Sequence, residues 1–215
     1  IMKSKIQSLK NGNKKTVIKK LFLTAAVAVS SLTFAQQFGA KAGMNVSTIS
    51  DEGFDDTKSK VGYYAGVFMN VPVSESFSIQ PEVLYNNLGS KVSSTVSGTT
   101  YSSTLNLDYV AVPVMFQYKA TPQFYLEAGP EFGFLVNAKQ KFDNGSSSIV
   151  TELDKEDFNS FNMGVGLGLG FDISKNVGLN ARYVAGFSDI TKESGPAADA
   201  KNKNNAFQVG LNIKF

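Results

Sequence analysis

The sequence predicts an all-β fold: an eight-stranded antiparallel up-and-down transmembrane β-barrel preceded by a signal peptide. Residues 161–173 show why, reading F-N-M-G-V-G-L-G-L-G-F-D-I. Phe161, Met163, Val165, Leu167, Leu169, Phe171 and Ile173 are large and apolar, while Asn162, Gly164, Gly166, Gly168, Gly170 and Asp172 are small or polar. A period of two is a strand with unlike faces. A face made mostly of glycine has no side chains from which to build a core, so the apolar face must meet something apolar outside the sheet, and lipid is the simplest such partner. The same alternation recurs along the chain in eight segments, joined alternately by long and short links.

The ends of the chain frame these segments. Lys19 and Lys20 precede an apolar run over residues 21–29, then Ser30, Ser31, Leu32 and Thr33-Phe34-Ala35. Charge, apolar core and small-residue cleavage site make a secretory signal peptide. The run is too short for a spanning helix, which takes about 20 residues. Residues 1–35 are therefore read as the leader, cut after Ala35, with the lysine-rich stretch ahead of Val17 read as lying upstream of the true start. Residues 36–215 are the barrel domain. All seven charges of the leader are lysines, leaving 14 basic and 18 acidic residues beyond it, a net of −4. The overall charge of +3 thus belongs to the leader and gives no reason to expect nucleic acid.

The strands follow in order. In the first, Phe38, Ala40, Ala42, Met44 and Val46 oppose Gly39, Lys41, Gly43, Asn45 and Ser47; in the second, Tyr63, Ala65, Val67, Met69 and Val71 oppose Gly62, Tyr64, Gly66, Phe68 and Asn70. The third sets Phe77, Ile79, Val83 and Tyr85 against Ser78, Gln80, Glu82, Leu84 and Asn86, then enters a Ser/Thr/Gly-rich loop over residues 91–103. The fourth, residues 105–119, is apolar on both faces. The fifth points Phe124, Leu126, Ala128, Phe132, Phe134 and Val136 outward and Tyr125, Glu127, Gly129, Glu131, Gly133 and Asn137 inward, and a polar loop over residues 138–157 leads to the glycine-rich sixth. In the seventh, Val177, Leu179, Ala181, Tyr183, Ala185 and Phe187 oppose Gly178, Asn180, Arg182, Gly186 and Ser188; in the eighth, Phe207, Val209, Leu211, Ile213 and Phe215 oppose Gln208, Gly210, Asn212 and Lys214.

In the last four strands every charge falls on the glycine-bearing face, a phase that requires polar groups inside and lipid outside. A charge on the lipid face costs about 2–4 kcal/mol at mid-bilayer. Closure satisfies every backbone group, which hydrocarbon demands. A soluble lipocalin-like barrel would have the opposite phase. The expected location is the outer membrane of a Gram-negative cell, with both termini and the three short turns periplasmic and four long loops extracellular. The closing apolar strand ending on Phe215 resembles the signal read by barrel-assembly machinery.

Three clusters carry a family resemblance: Gln80-Pro81-Glu82 with Tyr85 and Gly89; Asp108-Tyr109 with Pro113; and Tyr125-Leu126-Glu127-Ala128-Gly129-Pro130. On these the chain resembles the PorT-like outer-membrane barrels of the Bacteroidetes, although Ala111 stands where related members often carry an acidic residue. The resemblance implies an eight-stranded outer-membrane barrel and no single activity, since fold does not carry function.

Lys41, Glu82, Asp108, Glu127, Glu131 and Arg182 are expected to form a polar network inside the barrel, because an eight-stranded interior is just wide enough for side chains to fill. The glycines at 164, 166, 168 and 170 are spaced at two inside a strand, unlike a phosphate loop, and are expected to make room for Tyr64, Phe68 and Tyr125. Pro81, Pro113 and Pro130, in three successive strands, predict a local break in the ladder. Tyr63, Tyr85, Tyr109 and Tyr183 are read as the interfacial aromatic girdle. Acidic clusters at Asp51, Glu52, Asp55 and Asp56, and from Asp143 to Asp157, lack EF-hand spacing and read as solvated loops. The chain has no Cys and no His, which removes thiolate chemistry and a Ser–His hydrolase. No cofactor is expected. The expected role is that of a non-enzymatic outer-membrane protein, structural, surface-interacting or accessory to secretion, with a narrow channel as the alternative. Its expected partners are membrane lipid and lipopolysaccharide, the assembly machinery, and a secretion or envelope protein.

Overall fold

The structure, a computed structural model, describes residues 36–50, 58–96, 99–190 and 202–215. The predicted leader and the cluster at Asp51, Glu52, Asp55 and Asp56 lie outside the described residues. The described chain forms β1 (Gln37–Ser50), β2 (Lys58–Pro72), β3 (Phe77–Val96), β4 (Thr99–Lys119), β5 (Phe124–Asp143), β6 (Ser148–Glu152), a single 3-10 turn at Lys155–Asp157, β7 (Phe161–Asp172), β8 (Val177–Asp189) and β9 (Lys203–Lys214). Each strand of the ring is antiparallel to its neighbours, and the ring closes through β1 on β9 and β4 on β5. That makes eight strands around the barrel, with β6 a ninth that pairs only with the far end of β5. No helix among the described residues is long and apolar enough to cross a membrane; the strands are the spanning elements.

The alternation in sequence becomes the two faces of the wall. Phe38, Met44, Val67, Leu167, Leu211 and Ile213 are exposed on the outside, whereas Lys41, Asn45, Glu82, Glu127, Arg182 and Asn212 are buried within. The three short turns share one design. Residues 73–76, 120–123 and 173–176 each send two successive N–H groups to the first carbonyl of the next strand: Phe77, Phe124 and Val177. In each, a hydroxyl at the second position (Ser74, Thr121 or Ser174) accepts the N–H of that same residue. This is the local capping that Ser and Thr favour at turns. The end bearing these turns is called the turn end, the opposite one the loop end.

Two expected loops are strand instead. Residues 91–96 and 99–103 prolong β3 and β4 into a hairpin that pairs out to Val96 and Thr99, and residues 148–152 return along β5 as β6. Val92, Thr95, Thr100, Ile149 and Val150 supply β-branched side chains that favour extended backbone, and pairing satisfies groups that the Ser-rich composition suggested were solvated. The result is that β3, β4 and β5 run to 20, 21 and 20 residues against 12, 13 and 12 for β7, β8 and β9. A four-stranded sheet, β3–β4–β5–β6, therefore rises from one side of the loop end.

The ladder is interrupted beside the prolines. Pairing skips from Phe68–Glu82 to Val71–Ile79, from Pro81–Val114 to Leu84–Ala111 and from Pro113–Glu131 to Phe116–Ala128. A missing N–H in each of three adjacent strands removes ladder bonds at one level of the wall.

Candidate functional site in the barrel lumen

β3, β5 and β8 bring the main cluster together. The guanidinium of Arg182 donates from Nη1 and Nη2 to the two oxygens of Glu82, at 2.9 and 2.7 Å, and from Nε to Oε1 of Glu127 at 2.7 Å. Lys41 of β1 donates to Glu82 Oε1 at 2.9 Å. Side chains of Arg182, Lys41, Glu82 and Glu127 are at most 1% exposed. Two cations and two carboxylates thus cross the lumen as one layer, with the bidentate geometry that makes Arg–carboxylate pairs strong. Neutral amides complete it: Gln80 donates to Glu82, Gln117 donates to Glu127 Oε2 at 3.0 Å, and Asn70 donates to the side-chain oxygens of Ser78, Gln80 and Gln117.

Nearby runs a neutral chain of hydrogen bonds, from Tyr64 to Asn180 (2.8 Å), from Asn180 to Asn212 (2.8 Å) and from Asn212 to Tyr125 (3.0 Å). At the turn end Lys214 donates to Asp172 at 2.5 Å. Asn70, Gln80, Asn180 and Asn212, absent from the expected network, all sit at positions that alternation places inward; Gln117, on the strand that is apolar on both faces, carries no such signal.

The glycines make room for these side chains, though not all as expected. A Cβ at Gly170 would run into the ring of Tyr125, but Tyr64 is accommodated by Gly43 and Gly210, and Phe68 by Gly39. Gly166 faces Met115 and Arg182, and Gly168 faces Glu127. The wall opposite each large side chain is set by register, and β7 meets only part of them.

Two expected lumen residues stand elsewhere. Leu107 and Tyr109 both point inward, packing with Leu88, Leu135, Ala138, Ile190 and Ala206, so Asp108 between them lies on the outer face. There it accepts hydrogen bonds from Asn87 at 2.6 Å and Asn137 at 2.9 Å. The odd-numbered residues of β4 face inward without a break from Leu107 to Gln117, which sets Asp108 outside; in β5 a bulge, with Asp108 paired to Asn137 but Tyr109 to Leu135, leaves Val136 over. It turns Asn137 outward as well, against expectation. Tyr109, 2% exposed, is an inner residue and no part of a girdle, while Tyr63, Tyr85 and Tyr183 are exposed and Tyr63 stacks on Tyr85.

Glu131 is inside but joins none of these ion pairs. It lines a separate cavity with Asn86, Tyr109, Gly133, Asn162, Gly164 and Asn204, between the layer and the apolar cluster. Of the later acidic residues, Asp143 and Glu152 pair with Lys141 and Lys139 at 3.8 and 3.4 Å on the exposed sheet. Among the described residues no group of three or more acidic, His or Cys side chains is placed to hold a metal. Phe215 leaves its ring 77% exposed while its N–H donates to the Phe38 carbonyl at 2.8 Å.

A closed ring of eight strands, apolar outside and polar within, is the architecture of a small outer-membrane barrel. The model of the family described as outer membrane protein beta-barrel domain matches residues 34–192, and the chain belongs to that family. Among solved structures, the attachment invasion locus protein Ail of Yersinia pestis is 14% identical with a TM-score of 0.50, covering 85% of this chain and 100% of its own. Neisserial surface protein A is 13% identical with a TM-score of 0.49, covering 84% and 99%. OprG from Pseudomonas aeruginosa is 14% identical with a TM-score of 0.39, covering 84% and 96%. At such identity the likeness to Ail is one of fold. No curated protein sequence matches the chain.

Proposed function

We propose that this outer-membrane protein is non-enzymatic and serves surface interaction, with the barrel as a rigid mount and the raised sheet as the working surface. The observation that carries this reading is the contrast between a lumen crossed by the Lys41–Glu82–Arg182–Glu127 layer and a four-stranded sheet standing beyond the wall with Val92, Tyr101, Phe142 and Ile149 exposed. Large exposed apolar side chains grouped on one surface mark interaction sites. In this reading the termini and the turn end are periplasmic, the raised sheet is extracellular, the outer wall meets lipid and lipopolysaccharide, and assembly machinery reads the strand ending in Phe215. The absence of His from the chain supports a non-catalytic role. The PorT-like resemblance favours a variant in which the partner is a secretion or envelope protein; the proline level of β3–β5, where ladder bonds are missing, is then its docking surface. The charged layer speaks against the narrow channel.

Quantitative proteomics of outer membrane and medium tests this, comparing a deletion strain complemented with the whole chain or with a chain lacking residues 92–103. The expected result is that the shortened chain inserts in the membrane but fails to restore the surface-associated proteins lost on deletion. Full restoration by the shortened chain would overturn the working role of the sheet, and steady single-channel conductance from the purified barrel would overturn the plugged lumen.

A further inference from the structure

The cavity around Glu131 is built unlike the rest of the lumen. Glu131 Oε2, both side-chain atoms of Asn86, both of Asn204, the hydroxyl of Tyr109 and Nδ2 of Asn162 are all buried and have no hydrogen-bond partner, and all five residues line the same cavity of about 20 Å³. Asn86, Asn204 and Tyr109 are 0, 5 and 2% exposed. Buried polar groups in native proteins are paired with few exceptions, so seven unpaired atoms around one small space mark a place for an occupant. By size it takes one of about water's dimensions, since a water needs at least ~10–15 Å³.

Charge selects among such occupants. Glu82 and Glu127 are each matched by Lys41 or Arg182, whereas Glu131 has no cationic side chain in ion-pair contact, and a buried carboxylate without a counter-charge is costly. The oxygens of Glu131, Asn86, Asn204 and Tyr109 are hard donors bearing one negative charge in all. Such a set suits a monovalent cation and not a divalent one, which prefers several carboxylates, nor a soft metal, which prefers sulfur or imidazole.

We propose that the cavity binds a dehydrated monovalent cation of about water's size, with K⁺ or NH₄⁺ as the chemical class, held by the Glu131 carboxylate and the side-chain oxygens of Asn86, Asn204 and Tyr109. These residues belong to β5, β3, β9 and β4, on different parts of the wall. The bound ion therefore ties the strands together above the charged layer, as Arg182 does within it. This site is independent of what the raised sheet binds.

The test uses the full chain folded in detergent micelles, with its thermal midpoint measured in KCl, NaCl and choline chloride at equal ionic strength. The expected result is a midpoint several degrees higher in KCl than in choline chloride, saturating with K⁺, and a dependence abolished by Glu131→Gln, which keeps the volume and removes the charge. Equal midpoints in KCl and choline chloride would overturn the proposal in favour of a hydrated cavity with a neutral Glu131. So would a K⁺ dependence that survives in Glu131→Gln, because the ion would then bind elsewhere. Should that variant fail to fold, crystals of the wild-type chain grown with Tl⁺ in place of K⁺ decide the matter: an anomalous peak in the cavity supports the site, and a clear map without one overturns it.

Discussion

Glu127 and Glu131 lie four residues apart on β5, point into the same lumen and are almost equally buried, yet their surroundings are opposite. Glu127 has Gln117 beside it on β4 and Gly168 beside it on β7, whereas Glu131 has Pro113 and Gly164. The glutamine offers an amide to Glu127, and Gly166, between the two lateral glycines, leaves the space into which Arg182 reaches. A proline offers neither N–H nor a polar side chain. The lesson is that the fate of an inward charge is set by its lateral neighbours across the ladder and by the reach of a partner from the far wall. Arg182 directs three of its five N–H groups to Glu82 and Glu127, and Glu131 stands outside these ion pairs.

The largest effect is expected where Glu127 is made to resemble Glu131. Arg182→Ala leaves both Glu82 and Glu127 without their guanidinium, and removing one partner of a buried ion pair costs about 3–5 kcal/mol. A large fall in the urea midpoint of the barrel in micelles is expected, with the unfolding slope unchanged. A midpoint within error of wild type would mean that the layer contributes no stability.

A smaller effect is expected from Gln117→Ala, which takes away the lateral amide that donates to Glu127 Oε2 and accepts from Ser78, while Asn70 keeps Ser78 and Gln80. Unpaired buried groups cost roughly 1–3 kcal/mol. The same measurement applies, and a loss as large as that of Arg182→Ala would show that the amide, and not the ion pair, organises the layer.

Much of this was legible in the chain. Period-two alternation assigned the inner and outer faces of the first, second and third strands residue by residue, because a one-residue slip would put lysine or glutamate into lipid. The faces of β4 were not legible, since Val110, Val112 and Val114 alternate with Ala111, Pro113 and Met115 and both sets are apolar. The outward place of Asp108 is not legible for that reason, whereas that of Asn137 is not because the bulge at Val136 arises from the pairing of two strands and leaves no mark in either alone. The Ser- and Thr-rich hairpin of β3 and β4 reads as a loop by composition, although Val92, Thr95 and Thr100 carry the β-branching that extends it. Which glycine faces which aromatic ring depends on register between strands distant in sequence, so Gly43 and Gly210 were not matched with Tyr64.

The glycines give the comparison its finest test. At Gly168, beside Glu127, an added Cβ would lie 2.7 Å from the Ala181 carbonyl and 2.9 Å from Glu127 Oε1. At Gly133, which lines the Glu131 cavity, the nearest atoms are Tyr109 Cδ1 at 3.4 Å and Asn162 Cβ at 3.6 Å, ordinary contacts. Gly168→Ala is expected to cost about 1–3 kcal/mol, as overpacking does. Gly133→Ala is expected to be neutral or to stabilise by about 0.4–1 kcal/mol, because alanine narrows the unfolded ensemble where the native backbone tolerates it. Both are read from urea midpoints in the same salt. If Gly133→Ala lost as much as Gly168→Ala, the region around Glu131 would be packed as tightly as the charged layer, and the distinction between the two carboxylates would have to rest on charge alone. If it held or gained, the open space beside Glu131 would stand as a property of the folded wall, framed by Pro113 and Gly164 on either side.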